Sequence, residues 1–588
     1  MADFFSGLSS VAQDEIFSYI TLIIRYILPI PAVLTVVRCA VSLLRRGRSV
    51  ETWGYLSLPN GSRIPLEHWE NIIGRARDAD VHMAYPSLSR SHAAVIRDGA
   101  GVWRVYDLGS KGGARVNGAA LTPGEGRVVK SGDLIDLGSV KLIFVGGGAE
   151  GTPAAPDADG PPAAGLRPGA TLVFLTEFQL LLGVQACIAK SDALTAAVPA
   201  SFAALIAVMW VCYALTRSIG RVGFEIETLA FFLCAIGLSI TASSAPEALW
   251  RQTAFLCAGI LLYCALGWFL RDLDRTARMR WPAGAVGLVL LVVNLLLGDT
   301  IFGAKNWLQI GGLSFQPSEF VKIAFVFAGS ATLDRLFAKR NLLLFIAYAG
   351  ACVLALALMR DFGSALVFFV AFLVIAFIRS GDAATVFLSV GGAAFAGFLA
   401  VAAREHIAAR FSSWGRAWEN VNTSGGFQQT RAMSAAAGGG LFGAGSGNGW
   451  LKQIFAADTD LVFGMTCEEL GLIIAVTAVA AVAVFAVFAV RSASAARSSY
   501  YVTGACASAS ILVFQLALNV LGSTDILPFT GVTFPFVSKG GSSLIACWGL
   551  LAFIKAADTR PGASFAIKLP ARRRRKERRD LRGGDGGG

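Results

Sequence analysis

The segment Phe455–Gly471, with the sequence FAADTDLVFGMTCEELG, decides how the rest of the chain is interpreted. It places the carboxylates Asp458 and Asp460 in a polar loop directly before an apolar stretch, and Glu468 and Glu469 within that stretch. Charged side chains at a membrane boundary are costly and are seldom retained without a use. The segment therefore predicts a functional carboxylate where a loop meets a membrane helix.

The composition around this segment is that of a polytopic membrane protein. Of 588 residues, 55% are hydrophobic and 15% are charged, and the mean hydropathy is +0.61. Soluble proteins rarely have such values. The ten cysteines lie in or beside apolar stretches with no C-x-x-C pair, which is typical of small buried apolar residues. The four histidines form no cluster, so the sequence predicts no metal site built from histidine.

Apolar stretches long enough to cross a bilayer, about 17–25 residues each, predict about thirteen spans. They lie near 16–43, 171–189, 194–216, 226–245, 250–271, 281–298, 318–337, 342–359, 363–380, 383–402, 463–490, 500–521 and 540–557. Lys and Arg cluster after odd-numbered spans, which places those loops in the cytoplasm and the N-terminus outside. Loops 299–317, 403–462 and 522–539 are then outside. The basic tail after the last span predicts contact with anionic membrane lipids rather than with nucleic acid.

Residues 52–146 differ from the rest of the chain. Short alternating runs such as Val102–Tyr106 and Lys141–Val145 are separated by turn dipeptides, which predicts a cytoplasmic all-β sandwich. Residues 147–170 are rich in Gly, Ala and Pro, so we expect a flexible tether to the later spans.

The β-module resembles a forkhead-associated (FHA) domain. The resemblance rests on Ile73-Gly74-Arg75, the run from Ser87 to His92, Asp107-Leu-Gly-Ser110 and Val116-Asn117-Gly118. It implies a phosphothreonine-peptide site whose predicted residues are Arg75, Ser89, Arg90 and Lys111. The family's usual Ser-Thr-Asn-Gly is here Ser110-Lys-Gly-Gly113, so a phosphate-independent docking or structural role remains the alternative. We expect His92 to be a structural hydrogen-bonding residue.

Four blocks of the apolar part resemble the SEDS family of FtsW, RodA and SpoVE. They are the run from Gly303 to Lys322, Arg360-Asp-Phe-Gly363, the run from Gly426 to Gly471, and the run from Leu527 to Ser543. Members are peptidoglycan glycosyltransferases with a ten-span core, which polymerise lipid II at the outer face and work with a class B penicillin-binding protein. The resemblance implies the same fold, activity and partner here.

The resemblance also implies a set of site residues. The family's loop aspartate falls on Asp460, its essential Trp on Trp307 and a basic position on Lys305, which are the predicted catalytic residues. Predicted substrate-binding residues are Lys452, Arg360, Gln316, Glu319, Ser542 and Lys539. A base for the attacking hydroxyl and positive charge for the leaving pyrophosphate are what this reaction needs. That charge admits Mg²⁺ or another divalent cation, and no organic cofactor is expected.

The predicted organisation has six parts. They are an N-terminal span with a basic flank (1–51), the FHA domain (52–146), the linker (147–170), two additional spans (171–225), the ten-span core (226–557) and a basic cytoplasmic tail (558–588). Expected partners are lipid II, a class B penicillin-binding protein, a phosphothreonine protein and membrane lipids, with no nucleic acid.

Several alternatives stay open at this point. Asp458 competes with Asp460 as the base, and Asp460 is also suited to cap the following helix. Trp307 fits an interfacial belt, while Glu468 and Glu469 fit a structural role. The Gly-rich stretch 438–449 fits a phosphate cradle, but Gly-rich loops are also common without that role. A lipid II flippase and a non-catalytic scaffold for the cell wall machinery are the competing functions.

Overall fold

The computed structural model describes most of the chain, with gaps at the termini, the linker and several loops. The described residues are 10–45, 52–77, 79–98, 101–146, 168–189, 196–221, 223–301, 304–311, 313–332, 338–380, 383–384, 386–392, 394, 414–422, 426–493, 497–560 and 563–564.

The FHA-like module is a sandwich of two antiparallel-dominated sheets, as the alternating runs predict. One sheet has the order β2-β1-β11-β10-β7-β8 and the other β4-β3-β5-β6-β9. Inward-facing side chains such as Val105, Ile135 and Leu142 are fully buried between them. The strands are β1 (Gly54–Ser57), β2 (Arg63–Leu66), β3 (Glu70–Gly74), β4 (Val81–His82), β5 (Ala93–Arg97), β6 (Trp103–Asp107), β7 (Ala114–Val116), β8 (Ala119–Ala120), β9 (Gly126–Val129), β10 (Leu134–Leu137) and β11 (Val140–Gly146).

The remainder is mainly helical, because long apolar segments can satisfy their backbone groups in a membrane only within a helix. The helices are α1 (Ser10–Ile27), α2 (Pro29–Arg45), α3 (Pro168–Ile188), α4 (Ala197–Ser218), α5 (Glu225–Ser244), α6 (Leu249–Phe269), α7 (Leu273–Leu297), α8 (Pro317–Thr332), α9 (Ala338–Leu358), α10 (Phe362–Ser380), α11 (Phe427–Gly439), α12 (Val462–Leu470), α13 (Leu472–Ala493), α14 (Ser499–Ser523) and α15 (Gly541–Ala556).

Within the described residues, nine helical segments are long and apolar enough to cross a membrane. Two shorter apolar helices, Leu343–Leu358 and Gly541–Ala556, coincide with further predicted spans. Half of the predicted span at 383–402 lies outside the described residues, as do all of the basic run 572–579 and of linker residues 147–167. A multi-pass membrane protein is therefore confirmed, while the number of thirteen spans stays a prediction.

Three predicted elements differ from the structure in their details. The first span is interrupted at Leu28, because Pro29 begins a new helix. The stretch 463–490 is two helices, since Gly471 adopts φ +93° and ends α12. The predicted outer loop 299–317 contains a three-stranded antiparallel sheet of β12 (Asp299–Ile301), β13 (Ala304–Ile310) and β14 (Leu313–Phe315).

The FHA-like module contacts the membrane helices directly, while linker residues 147–167 lie outside the described residues, so the flexible tether stays a prediction. The Trp69 backbone amide donates a hydrogen bond of 2.6 Å to the carbonyl of Arg497, and the Trp69 ring lies 6.2 Å from that of Tyr501 at the start of α14. Buried aromatic contacts of this kind hold one module on the other. The module is therefore seated on the membrane helices.

The additional helices outside the core pack against it. Helix α2 contacts α3, α5 and α13, and α3 contacts α5. The Tyr26 ring of α1 lies 4.9 Å from Phe442 in the Gly-rich loop (residues 438–449). The extra helices thus cover part of the core and reach that loop.

Candidate active site

The loop that carries Asp460 is held in place by its backbone. The side-chain amide of Asn519, near the end of α14, donates hydrogen bonds to the carbonyls of Asp460 (3.0 Å) and Val532 (2.9 Å). The Ser538 hydroxyl donates to the carbonyl of Thr459 at 2.6 Å. These bonds join the Asp460 loop to residues 532–538, which lead into α15, so the third and fourth sequence blocks lie side by side.

Gly531 brings the main chain of that segment close to the Asp460 carboxylate. It adopts φ +67°, and a Cβ atom on it would lie 3.1 Å from Asp460 Oδ2. Glycine tolerates this left-handed conformation and leaves room beside the carboxylate. Gly363, from the second block, in turn approaches Thr530, where a Cβ atom would lie 3.2 Å from the carbonyl oxygen. The second block therefore lies next to the fourth.

Asp458, the competing base, already has partners. Its Oδ2 atom lies 2.5 Å from Lys539 Nζ and accepts a hydrogen bond of 2.9 Å from the Ser244 hydroxyl. Both contacts engage the same carboxylate oxygen, so this oxygen is already occupied by an ammonium group and a hydroxyl. The pairing therefore favours Asp460 as the base, and it gives Lys539 a role in orienting Asp458.

The surroundings of Asp460 change its acidity in the direction that a base requires. Burial raises the pKa of the Asp460 carboxyl from its ordinary value to about 6. The Thr459 hydroxyl opposes this rise in pKa, and the negative charge of Asp458 adds to it. A carboxylate with a pKa near the working pH is a better proton acceptor than an ordinary surface aspartate.

The carboxylates Glu468 and Glu469 have a structural role. Glu468 accepts hydrogen bonds from the backbone amides of Trp450 (2.8 Å) and Leu451 (3.0 Å). Glu469 accepts from the Gly447 backbone amide at 2.9 Å and from the Ser243 hydroxyl. Both side chains therefore hold the Gly-rich loop and the turn that follows it, as the structural alternative predicts.

Two backbone amides of the Gly-rich loop are already hydrogen-bonded within the protein. The backbone amides of Ala444 and Gly445 donate to the carbonyls of Glu468 and Glu469, at 2.7 and 2.9 Å. The Lys452 ammonium donates to the carbonyl of Gly447. The amides of Ala444 and Gly445 are therefore not free to bind an anion, and the loop holds Lys452 in place.

The predicted residues of the first two blocks meet through the backbone. The Lys305 backbone amide donates a hydrogen bond of 2.9 Å to the carbonyl of Met359, directly before Arg360. The Lys305 ammonium lies 3.5 Å from the Leu295 carbonyl, and Trp307 pairs with Asp299 across the β12–β13 ladder. Among the described residues, no hydrogen bond or ion pair joins Lys305 or Trp307 to Asp460, so their catalytic roles stay predictions.

Arg360, Gln316 and Ser542 occupy the ends of helices. Arg360 is exposed and adopts φ +62° between α9 and α10. The Gln316 backbone amide donates a hydrogen bond of 3.1 Å to the Ser542 hydroxyl, which joins the start of α8 to the start of α15. Arg360 is thus accessible to a substrate, whereas Ser542 is engaged in a structural contact.

Glu319 lies in a buried ion pair. Its Oε1 atom is 2.7 Å from Lys322 Nζ, and the two residues are 3% and 1% exposed. Removing one partner of such a pair is strongly destabilising, because the other charge stays buried. The geometry gives Glu319 a role in helix α8, and its binding of substrate stays a prediction.

A divalent cation finds no ready-made ligand set in the part of the chain that the structure describes. No group of three or more His, Cys, Asp or Glu side chains lies close enough together there to hold a metal ion. Asp458, the carboxylate nearest Asp460 in the chain, is paired with Lys539. These side chains alone therefore do not form a site for a resident Mg²⁺, and binding of a divalent cation stays a prediction.

The predicted phosphopeptide residues gather at one end of the β-sandwich. The Ser89 hydroxyl accepts a hydrogen bond of 3.1 Å from the Lys111 backbone amide, and Arg75, Arg90 and Lys111 are exposed at this end. His92 is fully buried, and its ring nitrogens bond to the Ser89 amide and the Gly113 carbonyl. His92 is therefore structural, as expected, and Arg75, Arg90 and Lys111 place three positive charges at this end of the sandwich, which suits an anion.

Two residues that hold the Asp460 loop were missed by reasoning from the sequence. Asn519 lies inside an apolar helix, and Ser244 ends another, so neither belongs to a polar block. A buried Asn in an apolar helix is costly without partners, and this was the available signal.

Comparison with known proteins shows which families the two modules match. Residues 203–561 match the sequence model of the FtsW/RodA/SpoVE cell cycle proteins, and residues 71–138 match that of the FHA domain. The first match begins inside α4, within the stretch predicted to hold two additional spans.

Named relatives agree with that match. Over 329 residues, the chain is 30% identical to the peptidoglycan glycosyltransferase RodA of Mycobacterium tuberculosis, covering 52% of this chain and 69% of the relative. It is 32% identical over 356 residues to a probable peptidoglycan glycosyltransferase FtsW of Tolumonas auensis, covering 56% and 90%. It is 27% identical over 337 residues to stage V sporulation protein E of Bacillus subtilis, covering 54% and 91%. The chain therefore belongs to the FtsW/RodA/SpoVE family and carries an FHA domain in addition.

Proposed function

We propose that this protein is a peptidoglycan glycosyltransferase that polymerises lipid II, with Asp460 as the general base. The observation that carries the proposal is the partly buried Asp460 carboxylate, whose pKa is raised to about 6 and whose loop is fastened by Asn519. The names of the relatives support the same reaction.

The chain's own residues would act in one displacement. A sugar hydroxyl of one substrate attacks the anomeric carbon of the other, and its proton passes to the Asp460 carboxylate. The new carbon–oxygen bond forms as the bond to the pyrophosphate breaks, and the lipid pyrophosphate leaves with the electron pair. A base within about 3 Å of the hydroxyl is needed for this transfer.

The leaving pyrophosphate needs positive charge that is not already neutralised. Lys539 is already paired with the Asp458 carboxylate. Exposed Arg360, on the segment beside the Asp460 loop, is therefore the first candidate for this role. Lys305 and Lys452 follow, because their ammonium groups donate to the backbone carbonyls of Leu295 and Gly447, which leave the charge unneutralised.

The orientation that suits this reaction places the Asp460 loop outside. The starts of α10 and α15 and the ends of α5 and α14 meet at that loop. The opposite ends of these helices carry Arg379, Arg497 and Arg221, in agreement with the positive-inside pattern. The FHA domain and the C-terminal tail would then be cytoplasmic, and the N-terminus would lie outside.

Partners follow from the two modules. The membrane module would work with a class B penicillin-binding protein, which crosslinks the glycan, and the FHA domain would recruit a phosphothreonine protein to the cytoplasmic face. Arg75, Ser89 and Arg90 supply a fork of donors for the phosphate.

Reconstitution in vesicles separates this function from its competitors. Purified protein, alone and with a cognate class B penicillin-binding protein, is incubated with labelled lipid II, and glycan chains are resolved on a gel. We expect polymer from the wild-type protein. Movement of labelled lipid II across the vesicle without polymer would indicate a flippase, and neither activity, even with the partner, would indicate a scaffold.

A further inference from the structure

The FHA domain and the membrane module share a polar contact at the start of α14. The Glu70 carboxylate accepts a hydrogen bond of 2.9 Å from the Ser498 hydroxyl, and another from the Ser499 hydroxyl. The adjacent Trp69 backbone amide donates to the Arg497 carbonyl at 2.6 Å. One end of strand β3 is thus hydrogen-bonded to three consecutive residues at the start of α14.

An aromatic cluster buries the same contact. The Arg97 guanidinium lies over the rings of Trp53 and Trp69, 4.8 and 5.3 Å from their centroids, and Trp69 meets Tyr501 edge-on. All four residues are at most 7% exposed. Desolvated Trp, Tyr and Arg side chains are the groups that dominate the energy of stable interfaces.

The phosphate-binding end of the FHA domain lies away from this contact. Glu70 begins strand β3 and Arg75 follows its other end, so the strand separates them by about 16 Å. Strand β5 runs antiparallel to β3, so His92, which precedes β5, lies at the Arg75 end, and Arg97, its last residue, lies at the Glu70 end. A phosphopeptide can therefore bind while the domain stays seated.

Helix α14 joins the seated end to the candidate active site. The Tyr501 hydroxyl donates a hydrogen bond to the Leu270 carbonyl (2.7 Å), and the Arg379 guanidinium donates one to the Ser499 hydroxyl (3.2 Å). About 27 Å further along this helix, at a rise of about 1.5 Å per residue, Asn519 binds the carbonyl of Asp460. A single rigid element therefore touches both the FHA domain and the Asp460 loop.

We propose that the FHA domain positions part of the active site within the same chain. Its Trp69–Glu70 end fixes the start of α14 and thereby keeps Asn519 in place to hold Asp460. The seated domain is the active arrangement, and unseating it loosens the Asp460 loop. This rests on the proposed function for its effect on catalysis, but the loosening itself is independent of any substrate.

The test uses the full chain in lipid nanodiscs. Glu70→Lys removes the acceptor for both serine hydroxyls, and Glu125→Lys makes the same charge change at an exposed carboxylate of the FHA domain. Hydrogen exchange is followed at residues 498–503 and 456–461, together with the polymerisation rate and the binding of a phosphothreonine peptide. The isosteric variant Glu70→Gln serves as a milder second substitution.

We expect Glu70→Lys to raise exchange at both segments and to lower the polymerisation rate at least threefold, with Glu70→Gln intermediate and Glu125→Lys like the wild type. Exchange that rises only at 498–503, or at neither segment, would overturn the proposal. A wild-type protein that makes no polymer would refute the proposed function, while the exchange at 456–461 would still decide the coupling.

Discussion

Replacing Asn519 by Leu tests whether the fastening of the Asp460 loop matters for the reaction. Leu has a similar shape to Asn, so the helix packing is largely kept. The change removes the hydrogen bonds to the carbonyls of Asp460 and Val532, at 3.0 and 2.9 Å. Asn519 is 2% exposed, so water is a poor substitute for the lost donor.

The expected size of the effect follows from those two bonds. Leaving a buried polar group without a partner costs about 1–3 kcal/mol, so two carbonyls cost about 2–6 kcal/mol. Part of this cost is avoided when the loop moves toward solvent, and a displacement of about 1 Å at a reacting group can lower a rate by about 100-fold. We expect a fall in the polymerisation rate of about 10- to 100-fold, because the loop would shift by up to that distance.

Gln515→Leu is the matched control. Gln515 lies one turn earlier on α14, is 1% exposed, and its side-chain amide has no hydrogen-bond partner among the described residues. Initial rates on lipid II are measured for both variants, together with their melting temperatures. A wild-type rate in Asn519→Leu, with only its melting temperature lowered, would refute the reasoning, as would an equal loss in Gln515→Leu.

Three further predictions concern the same site. The polymerisation rate should fall as the pH is lowered through about 6, because Asp460 must be ionised to accept a proton. The variant Asp458→Asn removes a negative charge that raises the pKa of Asp460, so the acid limb of the pH–rate profile should move to lower pH. An acid limb that does not move would count against Asp460 as the base. Gly531→Ala should lower the polymerisation rate at least 10-fold, because the new Cβ atom would lie 3.1 Å from the Asp460 carboxylate. Gly311 also has a positive φ but has open space around it, so Gly311→Ala should leave the rate unchanged. Equal rates in the two variants would contradict the close approach of Gly531 to Asp460. Glu468→Ala leaves two backbone amides without their acceptor and should lower the free energy of unfolding by about 2–4 kcal/mol, measured by denaturant unfolding, and an unchanged stability would show that the carboxylate does not hold the Gly-rich loop.

The fold class followed from the sequence because its strongest signals are local. Apolar stretches such as 226–245 and 500–521 are suited only to membrane helices, and the alternation in Val102–Tyr106 marks a strand. Both modules are confirmed by the structure and by the family matches. The breaks at Leu28 and Gly471 were missed, because hydropathy averages over a proline or glycine.

The candidate site was predicted only in part. Asp460 was found because it precedes an apolar helix in a family pattern, and the structure leaves it without an ion-pair partner among the described residues while Asp458 has one. The sequence could not place Asn519, because its contact with Asp460 spans 59 residues. The seating of the FHA domain was missed for the same reason, since Glu70 and Ser498 are 428 residues apart.

The measurement that tests the central claim most directly is the initial rate of lipid II polymerisation by Asp460→Asn beside the wild type. Asn keeps the size and the backbone contacts of Asp460 but cannot accept the proton as a carboxylate does. The account predicts polymer from the wild type and a loss of at least 100-fold in the variant, at an unchanged melting temperature. A variant that polymerises at the wild-type rate would contradict it.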